Sequence, residues 1–421
     1  MNRFSRFWRQ RFLEFSLGSD FFRLSDSICL ISEKRLPQTK SPSIRVVWTI
    51  LSLLHAFQYG CFVAELINCI NQTPLDKDKF TAVINLVIPL GVAILRGICL
   101  AYHREVILQL KQYINSKSCQ QADIESFELR KKKYRKVNRY LAAFHCLTTA
   151  NSFTWALTGG LNGENVIRIP VNVSNWSKSF QYGLDVGFAL IMVPWCFTLW
   201  HSPTQFVTIL SVLHSELRII VNQFDGLFEK VVSNYALDPI DLDELELSQR
   251  GCFWAELDKS FKNAIRHHSA YIRNFQLLRK MSSLNFFIFL CLSAVIITFN
   301  IFPFIVNPSF ELLPLQLLAM QYASESYLCC TMFDNLEAEN QKISKYVYAI
   351  DWLSSMRHDR HNVCDRIHRR SIEQNAIILH QQINKGLSIK AGGMFPLNLA
   401  TFTQLMKSVY SLLTLLLQSM D

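Results

Sequence analysis

Apolar residues dominate seven stretches of the chain, at about 46–70, 81–102, 139–160, 182–213, 282–305, 313–335 and 395–418. Roughly 20 predominantly apolar residues suffice for a helix to cross a bilayer core, so each stretch reads as a spanning helix. Charged, helix-compatible connections run through 103–138, 214–281 and 336–365. Short connections occupy 71–80 and 306–312, and one of medium length lies at 161–181. An amphipathic stretch at 366–390 precedes the last span. Lipid cannot satisfy free backbone groups, so the pattern predicts an all-α integral membrane protein with seven transmembrane helices.

The distribution of charge orients it. The N-terminal segment 1–45 and the connections 103–139, 214–280 and 336–370 hold nine, ten, nine and seven Lys and Arg residues; the other three connections hold two, two and none. Basic loops stay on the cytosolic side. The N-terminus is therefore expected inside and, after seven spans, the C-terminus outside. The basic, aromatic start MNRFSRFWRQRFLEF lacks the apolar core of a secretory signal and reads as a cytosolic segment. Three glycosylation sequons, at Asn71, Asn172 and Asn175, all fall in connections expected outside. An inside N-terminus argues against a G-protein-coupled receptor, whose N-terminus lies outside.

Composition narrows the classes further. Half of the residues are hydrophobic and 18% are charged, below the quarter or so typical of soluble domains. The twelve cysteines are scattered, mostly within apolar runs and without a CxxC, so buried single thiols are expected rather than a disulfide framework. No phosphate loop, GxSxG or HExxH occurs, and nothing points to an enzyme, a cofactor or a nucleic-acid partner. The absence of internal repeats disfavours a secondary transporter. His358, His361, Cys364 and His368 have ligand-like spacings, but their basic surroundings read as a solvated segment and no metal is expected. The run RKKKYRK at 130–136 reads as a topology and lipid-headgroup signal.

In the last span, Gln404, Lys407, Ser408, Ser411, Thr414 and Gln418 share one helical face. Leu405, Val409, Leu412, Leu413, Leu416 and Leu417 hold the other. Such a stripe must meet water or protein; it either lines a pore or forms helix–helix hydrogen bonds. Lys407 and Glu325 lie at similar depths from opposite sides, and an ion pair between them is one expectation.

Residues 391–416, AGGMFPLNLATFTQLMKSVYSLLTLL, resemble the C-terminal signature of insect odorant receptors: a glycine pair (Gly392–Gly393), Phe395–Leu397, Thr401–Phe402, Lys407 and Tyr410–Ser411. Residues 332–352 resemble that family's link after its sixth span. Leu412 stands where the family often has an aromatic. The sister gustatory receptors share the layout and are the alternative, with Gln418 as the matching feature. The odorant-receptor resemblance implies a tuning subunit of an odorant-gated, non-selective cation channel. Its partner would be a shared co-receptor in a heterotetramer, in the plasma membrane of a sensory dendrite. The co-receptor's long insert in the second cytosolic connection is missing here. The division implied is a cytosolic segment 1–45, spans one to six with a ligand pocket at 46–335, a cytosolic anchor region at 336–390 and a pore-lining terminal helix at 391–421. The family places its pocket in the outer halves of spans two, three, four and six. Candidates there on helical spacing are Val83, Leu86 and Val87; Ala150, Phe153, Thr154 and Leu157; Phe188, Ala189 and Met192; and Leu318 and Tyr322. An apolar volatile odorant suits such a lining. Leu415 is assigned to the gate, Gln418 to the narrow filter, and Ser411 and Thr414 to the conduction path.

Overall fold

A computed structural model describes residues 11–16, 18–31, 42–72, 74, 77–116, 124–161, 176–234, 247–309, 312–349 and 363–418. The helices are α1 Arg23–Ile31, α2 Pro42–Asn71, α3 Lys77–Tyr102, α4 Arg104–Asn115, α5 Ile124–Leu161, α6 Lys178–Leu190, α7 Met192–Leu199 and α8 His201–Phe224. They continue with α9 Leu227–Asn234, α10 Leu247–Val306, α11 Leu313–Ala349, α12 Val363–Asn384 and α13 Leu399–Gln418. All seven expected spans are helical: α2, α3, α5, the broken rod α6–α7–α8, α10, α11 and α13. The chain is an all-α, multi-pass membrane protein. Thr49–Asn71, Lys79–Tyr102, Lys178–Phe224 and Gly251–Val306 are long and apolar enough to cross a membrane on length and composition alone. Spans three, six and seven are more polar. In α11 the reason is visible: Gln321, Glu325 and Ser326 are buried against protein, where their polarity never meets lipid.

Span four departs from the single rod that its periodicity predicts. Helix α6 ends at Leu190 and α7 ends at Leu199. These are the residues four before Pro194 and Pro203. A proline ring clashes with the carbonyl four residues back and gives that carbonyl no N–H. The rod therefore breaks twice. Its last piece, α8, is the buried axis of the bundle: every residue from His201 to Leu213 is buried. It packs on α11, α5, α10 and α3.

Where they are described, the long connections are mostly helical extensions of the spans at one end of the bundle. With 60 residues, α10 runs about 90 Å at 1.5 Å per residue. At this long-extension end, Arg130 of α5 and Glu216 of α8 form a buried ion pair at 2.5 Å. The basic run around it holds Lys133, whose pKa is pulled down to about 8, first by burial and then by the charge of Lys136. The opposite end carries the short loops, including the one joining spans one and two.

The expected amphipathic stretch is α12, stopped by Gly386 at φ 68°. Span seven starts later than its apolar run. Strand Phe395–Pro396 pairs antiparallel with Lys390–Ala391, and the helix begins only at Leu399. The glycine pair makes the turn between these strands, with φ 59° at Gly392 and 77° at Gly393. Only glycine adopts such angles without strain.

Candidate functional site

At the short-loop end, α3, α6, α7 and α11 bring most of the ligand candidates inside. Val83, Leu86, Phe188, Ala189, Met192, Leu318 and Tyr322 are buried, and Val87 is half-buried. All but Val83 fall into two groups. Leu86, Phe188, Ala189 and Met192 cluster with Phe62, Leu90, Ala156 and Trp195, and Val87 packs against them. Leu318 and Tyr322 belong to the main core instead. Tyr322 lies 5.5 Å from the Trp200 ring and stacks on Phe289 at 6.1 Å, centroid to centroid. Trp195, within α7, belongs to the first group, and Trp200, just past the end of α7, belongs to the main core.

Span three is turned differently from the expectation. Phe153 is 47% exposed, and Ala150 is exposed too. The Thr154 hydroxyl donates to its own helix, at Ala150 O. The face directed at span four carries Thr149, 3.7 Å from Cys196 Sγ, and the buried Ala156. Uniformly apolar spacing could not reveal which flank of α5 meets α7. The side chain of Leu157 lies outside the described residues.

Span one supplies a polar feature that the pattern of spans two, three, four and six did not include. Gln58 is buried in α2. Its Nε2 donates to Phe188 O at 2.7 Å, and its Oε1 accepts from Trp195 Nε1 at 3.0 Å. The amide thus fixes both α6 and α7 beside the broken hinge at Ile191. A lone glutamine inside an apolar run was the signal available in the sequence.

One turn along α11 from Tyr322, Glu325 does not meet Lys407. Its carboxylate is held by Arg96 of α3, with Nη2 to Oε1 at 2.6 Å and Nη1 to Oε2 at 3.2 Å. Both side chains are almost fully buried, at 2% and 3% exposure. Arg96 fulfils the charge balance demanded of a carboxylate inside the bundle, which frees Lys407 to lie exposed on α13. A narrow crevice beside the pair is lined by Tyr140 and Phe144 of α5, Thr204 of α8 and Ser324 of α11.

The terminal helix is seated at its N-terminus and open along its polar face. Asn398 Oδ1 accepts from Thr401 N at 2.9 Å, the usual N-cap contact. A second carboxylate, Asp334 of α11, accepts from Leu399 N at 2.9 Å. Gly392 N donates to Ser283 O of α10. A Cβ on Gly392 would lie 2.6 Å from the Phe287 ring, which gives the glycine pair of the signature its packing reason. Leu405 and Val409 are buried against the bundle, while Gln404, Lys407, Ser408, Ser411 and Gln418 are exposed and Thr414 is half-exposed. Leu415 joins the exposed face at 62%. The hydroxyls of Ser408, Ser411 and Thr414 donate to carbonyls four residues back in α13, so neighbouring helices of the same chain do not hold them.

Asn71 is exposed at the end of α2; Asn172 and Asn175 lie outside the described residues. Of the histidine-rich run, His358 and His361 and the side chain of Cys364 also lie outside them. His368 Nδ1 is 3.1 Å from Asp258 Oδ2. No cluster of potential metal ligands occurs among the described residues.

A bundle of seven spans with a broken fourth helix, an apolar interior at one end and an uncovered polar face on the last helix defines an all-α multi-pass membrane protein. The family model for the 7tm odorant receptors matches residues 81–410, and the chain belongs to that family. Its fold is similar to the insect olfactory receptor OR5 from Machilis hrabei, with a TM-score of 0.65 and 13% identity over 95% of this chain and 100% of that one. The same receptor in complex with eugenol gives a TM-score of 0.67 and 11% identity, again over 95% of this chain and 100% of that one. No curated protein matches the sequence.

Proposed function

We propose that the chain is an odorant-binding tuning subunit of a heteromeric, non-selective cation channel. The observation that carries this reading is the face of α13 bearing Lys407, Ser408, Ser411, Leu415 and Gln418. It is polar for most of its length and turned away from the chain's own bundle. A polar face on a spanning helix needs water or another subunit, and four such helices around an axis would enclose a wet path. In this reading Leu415 forms the apolar gate and Gln418 the filter, while Ser411 and Thr414 line the path below.

The ligand is a volatile, largely apolar odorant, consistent with the eugenol complex of OR5. The lining drawn from the candidates is Val83, Leu86, Val87, Phe188, Ala189, Met192, Leu318 and Tyr322. The adaptable contacts of methionine and aromatic rings recognise shape more than one fixed hydrogen bond. In this reading the long-extension end, where the basic residues concentrate, lies in the cytosol and the short-loop end with Asn71 lies outside. The remaining subunits are the shared insect co-receptor, the membrane is that of a sensory neuron, and the protein carries no catalytic activity. Co-expression with that co-receptor, followed by current recording over a panel of single odorants, tests the reading. Odorant-evoked current only when both chains are present supports it. Robust current from this chain alone contradicts the tuning-subunit assignment.

A further inference from the structure

Four helices meet at the Arg96–Glu325 pair. Beyond its two contacts to Glu325, the Arg96 guanidinium donates from Nε to Asn285 Oδ1 of α10 at 3.0 Å. The Asn285 amide returns a bond to Arg96 O at 3.2 Å, and Ser202 Oγ of α8 donates to Asn285 Oδ1 at 3.1 Å. The guanidinium carbon sits 4.6 Å from the centroid of Phe289 on α10. Both carboxylate oxygens of Glu325 are thus bonded, and α3, α8, α10 and α11 are tied at one level.

Stability alone does not explain such a knot. A buried ion pair generally contributes little more than well-packed apolar residues of the same volume would. What it adds is a fixed relation between the helices that carry it. A bidentate fork adds geometric specificity to the charge pairing, and so fixes the point along their lengths at which the two helices meet. The neighbours of Glu325 along α11 give that geometry a use. Three residues toward the short-loop end stands Tyr322, packed on Trp200 and Phe289. Two residues the other way is Tyr327, edge-on to Phe402 of α13 at 5.5 Å. Nine residues on, about 14 Å along the helix, Asp334 holds Leu399 N at the start of α13. One continuous helix therefore runs from the proposed odorant lining, through a clamped point, to the seat of the proposed pore helix.

We propose that the Arg96–Glu325 pair is the fulcrum about which α11 converts odorant binding at the proposed lining into movement of α13, with Asn285 and Ser202 holding Arg96 in place. Displacement at Leu318 and Tyr322 then appears at Asp334 and Tyr327 with opposite sense. The two residues are positioning residues: they touch neither ligand nor permeating ion. The inference rests on the channel reading above.

The test uses the full chain co-expressed with the co-receptor and a panel of single odorants headed by eugenol. The double variant Arg96→Gln/Glu325→Gln removes both charges and keeps hydrogen-bonding shape, so no unpaired charge is left buried. At wild-type surface level it is expected to raise the half-maximal concentration of every active odorant together, by about tenfold or more, with the rank order unchanged. Arg96→Lys keeps the charge without the fork and is expected to shift the panel the same way by a smaller factor; it carries the test if the double variant fails to reach the surface. Unchanged half-maximal concentrations in the variants, whether at full or reduced surface level, mean a merely structural pair and overturn the fulcrum. A changed rank order makes the pair part of the ligand lining and also overturns it. If the wild type itself gives no odorant current with the co-receptor, the channel reading fails and the fulcrum with it; a responsive wild type with unaltered variants sinks the fulcrum alone.

Discussion

Asp334 of α11 accepts a hydrogen bond from the backbone N–H of Leu399, the first residue of the terminal helix, at 2.9 Å. Together with Asn398 it satisfies donors that a helix start leaves without intrahelical partners, and its charge suits the positive end of the helix dipole. Asp334→Ala is expected to cost about 1 kcal/mol, the usual loss at such a contact. Thermal unfolding of the purified receptor in detergent measures it. An unchanged midpoint would mean that Asn398 alone secures the helix start.

The turn of the glycine pair makes a sharper demand. Gly392→Ala meets both a positive φ, which costs roughly 1–2 kcal/mol for an L side chain, and the Phe287 ring at 2.6 Å. Gly393 has a positive φ but nothing within 4 Å of its would-be Cβ. Surface level, read by an external tag, is expected to fall more for Gly392→Ala than for Gly393→Ala. Equal losses would show that backbone conformation alone governs the turn.

The proposed odorant lining separates by burial. Met192→Ala and Tyr322→Ala are expected to alter the rank order of odorants, with individual shifts of roughly tenfold for lost apolar contact. Phe153→Ala should leave the response profile unchanged, because that ring is turned outward. Dose–response curves for the three variants over one panel distinguish them. A profile altered only by Phe153→Ala would place the site on the outer flank of α5.

Lys133 gives a pH dependence of known sign. Its pKa is lowered in the folded protein to about 8, below its ordinary value of about 10.5. The folded state thus binds fewer protons than the unfolded state between these values, and this group's contribution to stability rises with pH across that window. Lys133→Gln should flatten the rise of the unfolding midpoint between about pH 8 and 10. An identical slope in the variant would show that other groups carry it.

Periodicity made the number and placement of the spans legible, because lipid forces every spanning segment to be apolar and helical. The double break in span four was also written in the sequence, at Pro194 and Pro203, although a continuous apolar run masked it. The partner of Glu325 was not legible. Arg96 lies 229 residues away in sequence, and Lys407 satisfied the same one-dimensional arguments of depth and charge. Only the packing of α3 against α10 and α11 decides between the two cations. The flank of α5 that meets span four was hidden for a related reason. Apolar side chains facing lipid and apolar side chains facing protein look alike in a membrane sequence.

The proposed cation path along the exposed face of α13 is tested most directly by the ionic selectivity of the odorant-evoked current. Gln418→Lys places a positive charge at the proposed filter. In cells co-expressing the co-receptor, at wild-type surface level, relative cation permeability from reversal potentials is expected to shift and the inward cation current to fall. The effect is partial if other subunits complete the ring. Unaltered reversal potentials and unaltered current in Gln418→Lys would contradict the account and leave the polar face of α13 as a packing surface.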